Sequence, residues 1–207
     1  MPVTRLYLVR HGQTDWKLKP ALQGQSEIPL NETGRTQAAQ AAARLAGVCF
    51  DAVYTSPLRR AVDTACLASG LPEAALRVDE RLIEIAFGPW EGLDSRTLGP
   101  EFTPFFTDPA AYQRPEGGES LQALMRRTGA FAQEALCRHK GQTVLAVSHG
   151  AALHALLASV LHLPMADFWS VPLGNCAIAV LENKGRAWRL LQVMETESGD
   201  YAKTYLK

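Results

Sequence analysis

The stretch Leu6-Tyr7-Leu8-Val9-Arg10-His11-Gly12 constrains this chain more than any other. Four apolar, β-prone residues in unbroken succession read as a strand buried on both faces, the kind that lies inside a parallel sheet. The run stops abruptly at a cation, an ionisable ring and a glycine. In open α/β sheets ligands gather outside the carboxyl ends of the strands, which puts Arg10 and His11 where chemistry is usually done. Gly12 permits a sharp turn or a close backbone approach there. Taken alone, the tripeptide is equally a strand that finishes in polar residues at the surface.

A second junction of the same kind weighs against that plain reading. Thr143-Val144-Leu145-Ala146-Val147-Ser148 is another buried strand, and it ends in His149-Gly150. Between the two junctions the pattern alternates helix and strand. Asn31 is a good N-cap for a helix carrying Ala38, Ala41, Ala42 and Leu45 up to Gly47. Ala52–Thr55 is a short strand, and Ser56-Pro57 then reads as a cap and a first-turn proline opening a helix that ends near Gly70. Arg60 falls in the first turn of that helix, where free N–H groups and the dipole favour an anion. Glu84 stands between Ile83 and Ile85, an awkward place for a carboxylate unless it is paired, functional or turned outward by strand alternation.

Residues 94–118 show no periodicity but hold Phe102, Phe105, Phe106, Tyr112 and four prolines, which suggests a cap over the site. Ser120 opens the clearest helix, with Leu121, Leu124, Met125, Thr128, Phe131, Ala132, Ala135 and Leu136 on one packing face. Ala151–Leu161 reads as a helix stopped before Pro164. Ala177–Leu181 and Ala187–Val193 read as strands joined through Asn183-Lys184-Gly185. The expected fold is α/β: a three-layer α/β/α sandwich with a mostly parallel central sheet and a small cap insertion. No repeat or linker divides it, so residues 1–207 form one expected domain. The polar tail from Glu195 is read as mobile or as folding over the cap.

Bulk properties narrow the partners. The formal net charge is zero, so no polyanion or membrane surface is implied, and neither nucleic acid nor membrane is expected as a partner. Cys49, Cys66, Cys137 and Cys176 include no C-x-x-C pair, which favours free thiols in a reducing compartment. No signal peptide is apparent, and no apolar stretch approaches the roughly 20 residues that span a bilayer, so a cytoplasmic location is expected. No ligand spacing suggests a metal, and no cofactor is implied. His139, His154 and His162 lack polar company and read as structural or solvated; Cys176 reads as packing.

Five segments taken together resemble the histidine phosphatase superfamily, the phosphoglycerate-mutase-like fold. They are Arg10-His11-Gly12-Gln13-Thr14; Ser56-Pro57-Leu58-Arg59-Arg60-Ala61 with Thr64-Ala65; Glu84 in Ile-Glu-Ile-Ala-Phe-Gly-Pro-Trp-Glu-Gly; Gly117-Gly118-Glu119-Ser120; and Ser148-His149-Gly150. They occur in the family's order across almost the whole chain. The resemblance implies His11 as a nucleophile that becomes phosphorylated and Glu84 as proton donor. It implies Arg10, Arg60 and His149 as a clamp on the phosphoryl oxygens, with further contacts from Lys17, Gln23, Gly24 and Gly150. Lys17 is a departure, because the family commonly has Asn six positions after the nucleophile.

These residue types suit the chemistry. Phosphoryl transfer asks for positioning and for charge stabilisation on the equatorial oxygens, which guanidinium groups give with paired donors. A neutral imidazole held through its other nitrogen can attack phosphorus and split hydrolysis into two steps. A buried Glu beside a phosphate has reason to stay protonated for the leaving oxygen. The expected activity is therefore metal-independent hydrolysis of a small phosphorylated metabolite. Because residues 94–114 offer only Arg96 and Arg114 as cations, the non-phosphate part is expected to be neutral or partly apolar. In length and in the segment Pro115-Glu116-Gly117-Gly118-Glu119-Ser120 the chain resembles bacterial phosphatases that act on α-ribazole 5′-phosphate, which implies that compound as the specific expectation. Phosphoglycerate mutase or phosphoserine phosphatase activity is the enzymatic alternative. A catalytically weak binding or regulatory relative is the non-enzymatic one, disfavoured because such a module needs neither nucleophile nor proton donor. A second copy of the chain, forming a homodimer, is the one protein partner the reading allows.

Overall fold

In the computed structural model, residues 2–17 and 21–195 are described. Six strands form one sheet: β1 (Thr4–Arg10), β2 (Ala52–Thr55), β3 (Arg77–Val78), β4 (Thr143–Ser148), β5 (Ile178–Asn183) and β6 (Trp188–Met194), in the order β3-β2-β4-β1-β5-β6. The first four strands in that order run parallel, β5 pairs antiparallel with β1, and β6 pairs antiparallel with β5. The sheet is thus mostly parallel, as expected.

Alternation along the buried strands divides the core into two layers. Leu6, Leu8, Val144 and Ala146 face α4 (Leu121–Arg138) and α5 (Gly150–Leu161) through Phe131, Ala135, Leu153 and Leu157. Val9, Val53, Leu145 and Val147 face α1 (Glu32–Arg44) and α2 (Arg59–Ser69). There Ala38, Ala41, Ala61 and Ala65 have no bulk beyond Cβ and let the helices lie close to the sheet. A third cluster joins Phe87, Phe102, Phe105, Tyr112 and Phe168 to Leu121, Leu124 and the start of α5. Residues 94–118 include the short helix α3 (Pro104–Thr107) and contribute Phe102, Phe105 and Tyr112 to that cluster.

Three local readings change. α2 begins two residues later than Ser56 suggests: its cap is Leu58, with no side-chain hydrogen bond. The Ser56 hydroxyl is used elsewhere, as described below. Exposed β3 lies outside what periodicity detects, since it has two residues, both exposed. Glu84 lies in an irregular segment, so strand alternation does not decide where it points. Asn31 does cap α1, its side chain accepting from Gly34 N at 2.9 Å. None of the helices among the described residues is long and apolar enough to cross a membrane. The tail beyond Glu195 lies outside the described residues.

Candidate active site

Register brings the two histidine junctions together. β1 pairs with β4 so that Arg10 stands opposite Ser148, and the ladder continues as His11 N donates to Ser148 O at 2.9 Å. The rings of His11 and His149 consequently lie 5.0 Å apart, centroid to centroid. β2 lies on the other side of β4 and ends one residue before Ser56, whose N donates to Val147 O at 3.0 Å. That places the Ser56 hydroxyl 2.7 Å from His149 Nε2.

His11 is held as the sequence chemistry requires. Its Nδ1 lies 2.7 Å from Gly12 O, which can only accept, so Nδ1 carries the proton and the neutral ring keeps its lone pair on Nε2. Asn175 Nδ2 donates to His11 O at 2.9 Å. The backbone behind it is tight. A Cβ on Gly12 would run into the Gly34 carbonyl, and one on Gly34 into Gln13 O, so this loop packs on α1 only with glycine at both positions.

Arg10 and Arg60 are both buried beside His11. Arg10 Nη1 donates to Leu173 O at 2.9 Å. Arg60, on the first turn of α2, donates through Nη1 to Ser26 O and through Nη2 to Gly24 O, each at 2.7 Å. Burial pulls the Arg60 pKa down to about 10, partly offset by the Glu84 carboxylate, and the group remains a cation at neutral pH. Glu91 secures the loop that supplies those carbonyls: it accepts from Gln25 N at 3.0 Å and from the Ser26 hydroxyl at 2.7 Å.

Glu84 reaches the amino terminus of α5. Its Oε1 accepts from Ile85 N at 2.9 Å and Ala152 N at 3.0 Å, and its Oε2 from Ala151 N at 3.2 Å. Those bonds and Arg60 favour the carboxylate, but burial outweighs them and pushes its pKa up. For His149, burial acts first and the neighbouring Arg60 and Arg10 cations act with it, holding the ring well below its usual value and therefore neutral.

These groups surround one pocket of about 460 Å³, lined by Arg10, His11, Gln23, Gly24, Arg60 and Glu84 on its polar side. Leu22, Phe87, Phe105 and Phe106 line the other side. His149 is fully buried and is not among the lining residues, and Ala151 represents α5 at the wall where Gly150 was expected. Lys17 ends a short helical turn, Asp15–Lys17, and its side chain lies outside the described residues. At the site, the buried nitrogens Arg60 Nε and His149 Nδ1 have no hydrogen-bond partner among the described residues. Groups of that kind are costly unless a ligand meets them. Among the described residues no three His, Cys, Asp or Glu side chains converge as metal ligands.

Residues 6–196 match the model of the histidine phosphatase superfamily, branch 1. The chain belongs to that superfamily. It is similar to phosphoserine phosphatase 1 of Hydrogenobacter thermophilus, 31% identical over 188 residues that cover 89% of each protein. Among solved structures it is similar to YhfR of Bacillus stearothermophilus, with TM-score 0.82 and 35% identity over 90% of this chain and 95% of that one. It is also similar to a putative α-ribazole-5′-P phosphatase from Escherichia coli, with TM-score 0.81 and 27% identity over 93% and 96% of the two chains. As a member with phosphatase relatives it is a phosphomonoester hydrolase.

Sequence reasoning missed two parts of the site. That Ser56 serves His149 had no signal beyond its place in the motif. That Glu84 would sit on the first turn of α5 had none, because the contact crosses 67 residues of chain.

Proposed function

We propose that the chain hydrolyses small phosphomonoesters through a phosphohistidine at His11, with Glu84 as proton donor and without a metal ion. The observation that carries this is the pair of unpartnered buried nitrogens, Arg60 Nε and His149 Nδ1, beside an imidazole whose Nδ1 is pinned to Gly12 O. Arg10, Arg60 and His149 bind the phosphoryl oxygens, with Gln23, Gly24, Gly150 and Lys17 as subsidiary contacts. Since burial keeps His149 neutral, its Nδ1 can donate only if Nε2 carries the lone pair. The Ser56 hydroxyl, 2.7 Å from Nε2, is able to donate to that lone pair.

In the first step His11 Nε2 attacks phosphorus, the bond from phosphorus to the ester oxygen breaks, and that oxygen takes the proton of Glu84. In the second, the Glu84 carboxylate takes a proton from water as its oxygen attacks phosphorus. The N–P bond then breaks and inorganic phosphate leaves. An arriving phosphate dianion raises the Glu84 pKa further and keeps the donor loaded.

The substrate's other end meets Leu22, Phe87, Phe105 and Phe106. Of the two cations in residues 94–114, Arg96 is committed to Asp94, and Arg114 donates to Gly118 O at 3.0 Å. Neither lines the pocket. A substrate carboxylate thus finds apolar walls, which favours a phosphate ester with a neutral, partly apolar alcohol, such as α-ribazole 5′-phosphate, over phosphoserine or phosphoglycerate. A hydrolysis screen over those three compounds and sugar phosphates tests this. The expected result is kcat/KM highest for the ribazole ester; a clear preference for phosphoserine, the substrate named for the Hydrogenobacter relative, would overturn the substrate reading.

A further inference from the structure

We infer that Arg127, gripped by Glu119, is a positioning residue that holds Glu84 in place for proton transfer. This rests on the proposed role of Glu84. A guanidinium has five N–H donors, and Arg127 uses all of them. Nε and Nη2 each donate to one oxygen of the Glu119 carboxylate at 2.8 Å. Nη1 donates to Arg81 O at 2.8 Å and to Ile83 O at 2.6 Å, and Nη2 also donates to Glu84 O at 3.0 Å. No donor remains for a ligand: the group binds the Glu119 carboxylate and three backbone carbonyls and nothing else.

The segment it binds is a single 3-10 turn, Glu80–Leu82, closed by Leu82 N to Asp79 O and Ile83 N to Glu80 O, that runs out into irregular chain. Residues 81–84 belong to no strand, and they must set the Glu84 side chain against the pocket. Leu82 O accepts from the Ser148 hydroxyl at 2.6 Å, so the carbonyls of Arg81, Leu82, Ile83 and Glu84 are all tied down. Glu119 also holds the segment's far side, its N donating to Ala86 O at 2.8 Å. The Glu84 carbonyl is therefore held by α4 through Arg127 and by Gln25, whose Nε2 donates to the same oxygen at 3.0 Å, while its carboxyl is held by the first turn of α5. A proton donor must lie within hydrogen-bond reach of the leaving oxygen, and small displacements cost rate steeply. Lysine could not replace this arginine, because a point charge cannot make the fork to Glu119 and reach three carbonyls together.

The test is a double-mutant cycle on two substrates of like shape, phenyl phosphate and p-nitrophenyl phosphate. The nitro compound's leaving oxygen needs the proton far less. Arg127→Met is expected to lower kcat/KM on phenyl phosphate about tenfold to a hundredfold, through kcat, and on p-nitrophenyl phosphate less than about threefold. In a Glu84→Gln background the same change should cost phenyl phosphate less than about twofold, because the donor it positions is already gone. Equal losses on the two substrates, or full additivity with Glu84→Gln, would overturn the inference. If Glu84→Gln itself shows no leaving-group contrast, the Glu84 reading fails and this one with it. If Glu84→Gln shows the contrast and Arg127→Met does not, only the clamp fails. Should Arg127→Met not fold, Glu119→Gln and Arg127→Lys are to show the same contrast at smaller amplitude, and a flat response in both rejects the clamp.

Discussion

The floor and the roof of the pocket are built on opposite principles. The floor comes from strand ends and the first turns of two helices, and its side chains are wired to backbone: His11 to Gly12 O, Arg60 to Gly24 O and Ser26 O, Glu84 to Ala151 N and Ala152 N. The roof comes from irregular segments and the single-turn helix α3, and is made of rings. Phe105 touches Phe102, Phe106, Tyr112 and Trp169 at centroid distances of 4.9–5.1 Å. A hydrogen bond to a rigid carbonyl fixes an atom to within tenths of an ångström, whereas ring packing is tolerant of shape. The floor is therefore suited to one reaction and the roof to choosing among alcohols. Changes below should alter rate for every substrate, and changes above should reorder substrates.

The largest effect is expected at His11. His11→Ala removes the attacking nitrogen, so turnover should vanish, and an acid-free quench after brief exposure to labelled substrate should trap no phosphate on the protein. Wild-type protein should carry the label on His11. Label on His149 would mean that the two rings have been assigned the wrong way round.

Glu84 comes next. Glu84→Gln keeps the shape but cannot give a proton, and general acid catalysis is worth roughly 10²–10⁴-fold. Esters with poor leaving groups should lose that much, and activated aryl phosphates far less. The pH profile sharpens the point. Burial raises the Glu84 pKa, so the protonated donor persists above the ordinary carboxylate range, and the rate on poor leaving groups should fall as pH rises through that raised value. The limb should disappear in Glu84→Gln; a limb that survives belongs to another group.

The floor and the roof also differed in how far the sequence betrayed them. β1 and β4 were legible because a strand buried on both faces has an unbroken apolar run, and the polar residues that end each run mark the carboxyl edge. The α4 face was legible by helical period. What sets the floor's geometry was not: His149 with Ser56, Glu84 with α5 and Arg127 with three carbonyls are contacts across 93, 67 and 43 or more residues. A carbonyl acceptor leaves no mark in sequence, since every residue has one. In the roof, composition pointed to rings but not to Phe87 and Trp169 as their neighbours, because irregular backbone has no period to read.

Lys17 is the next test in size. Lys17→Ala is expected to raise KM about tenfold, since a charge-assisted contact to bound phosphate is worth roughly 1.5–3 kcal/mol. Lys17→Asn should recover part of the loss. An exposed lysine with no such contact contributes only about 0.2–1 kcal/mol, so a change in kcat/KM below about threefold at low salt would make Lys17 a bystander.

The smallest effect, and the sharpest test of the division, is at Phe106. Its ring lines the pocket and leans on Phe102, Phe105 and Trp169 at 5.6, 4.9 and 5.2 Å. Those neighbours hold one another in its absence, so Phe106→Ala should fold with little loss. An aromatic contact is worth about 0.5–1.5 kcal/mol, so the variant should bind aryl phosphates roughly twofold to tenfold more weakly. Phosphoserine offers no apolar surface to that wall, and its kcat/KM should move by less than about twofold. The ratio of the two kcat/KM values is the quantity to measure, because folding losses cancel in it. If the ratio stays at its wild-type value, the roof does not select the alcohol, and specificity must come from the polar side of the pocket, with Gln23 the first residue to change.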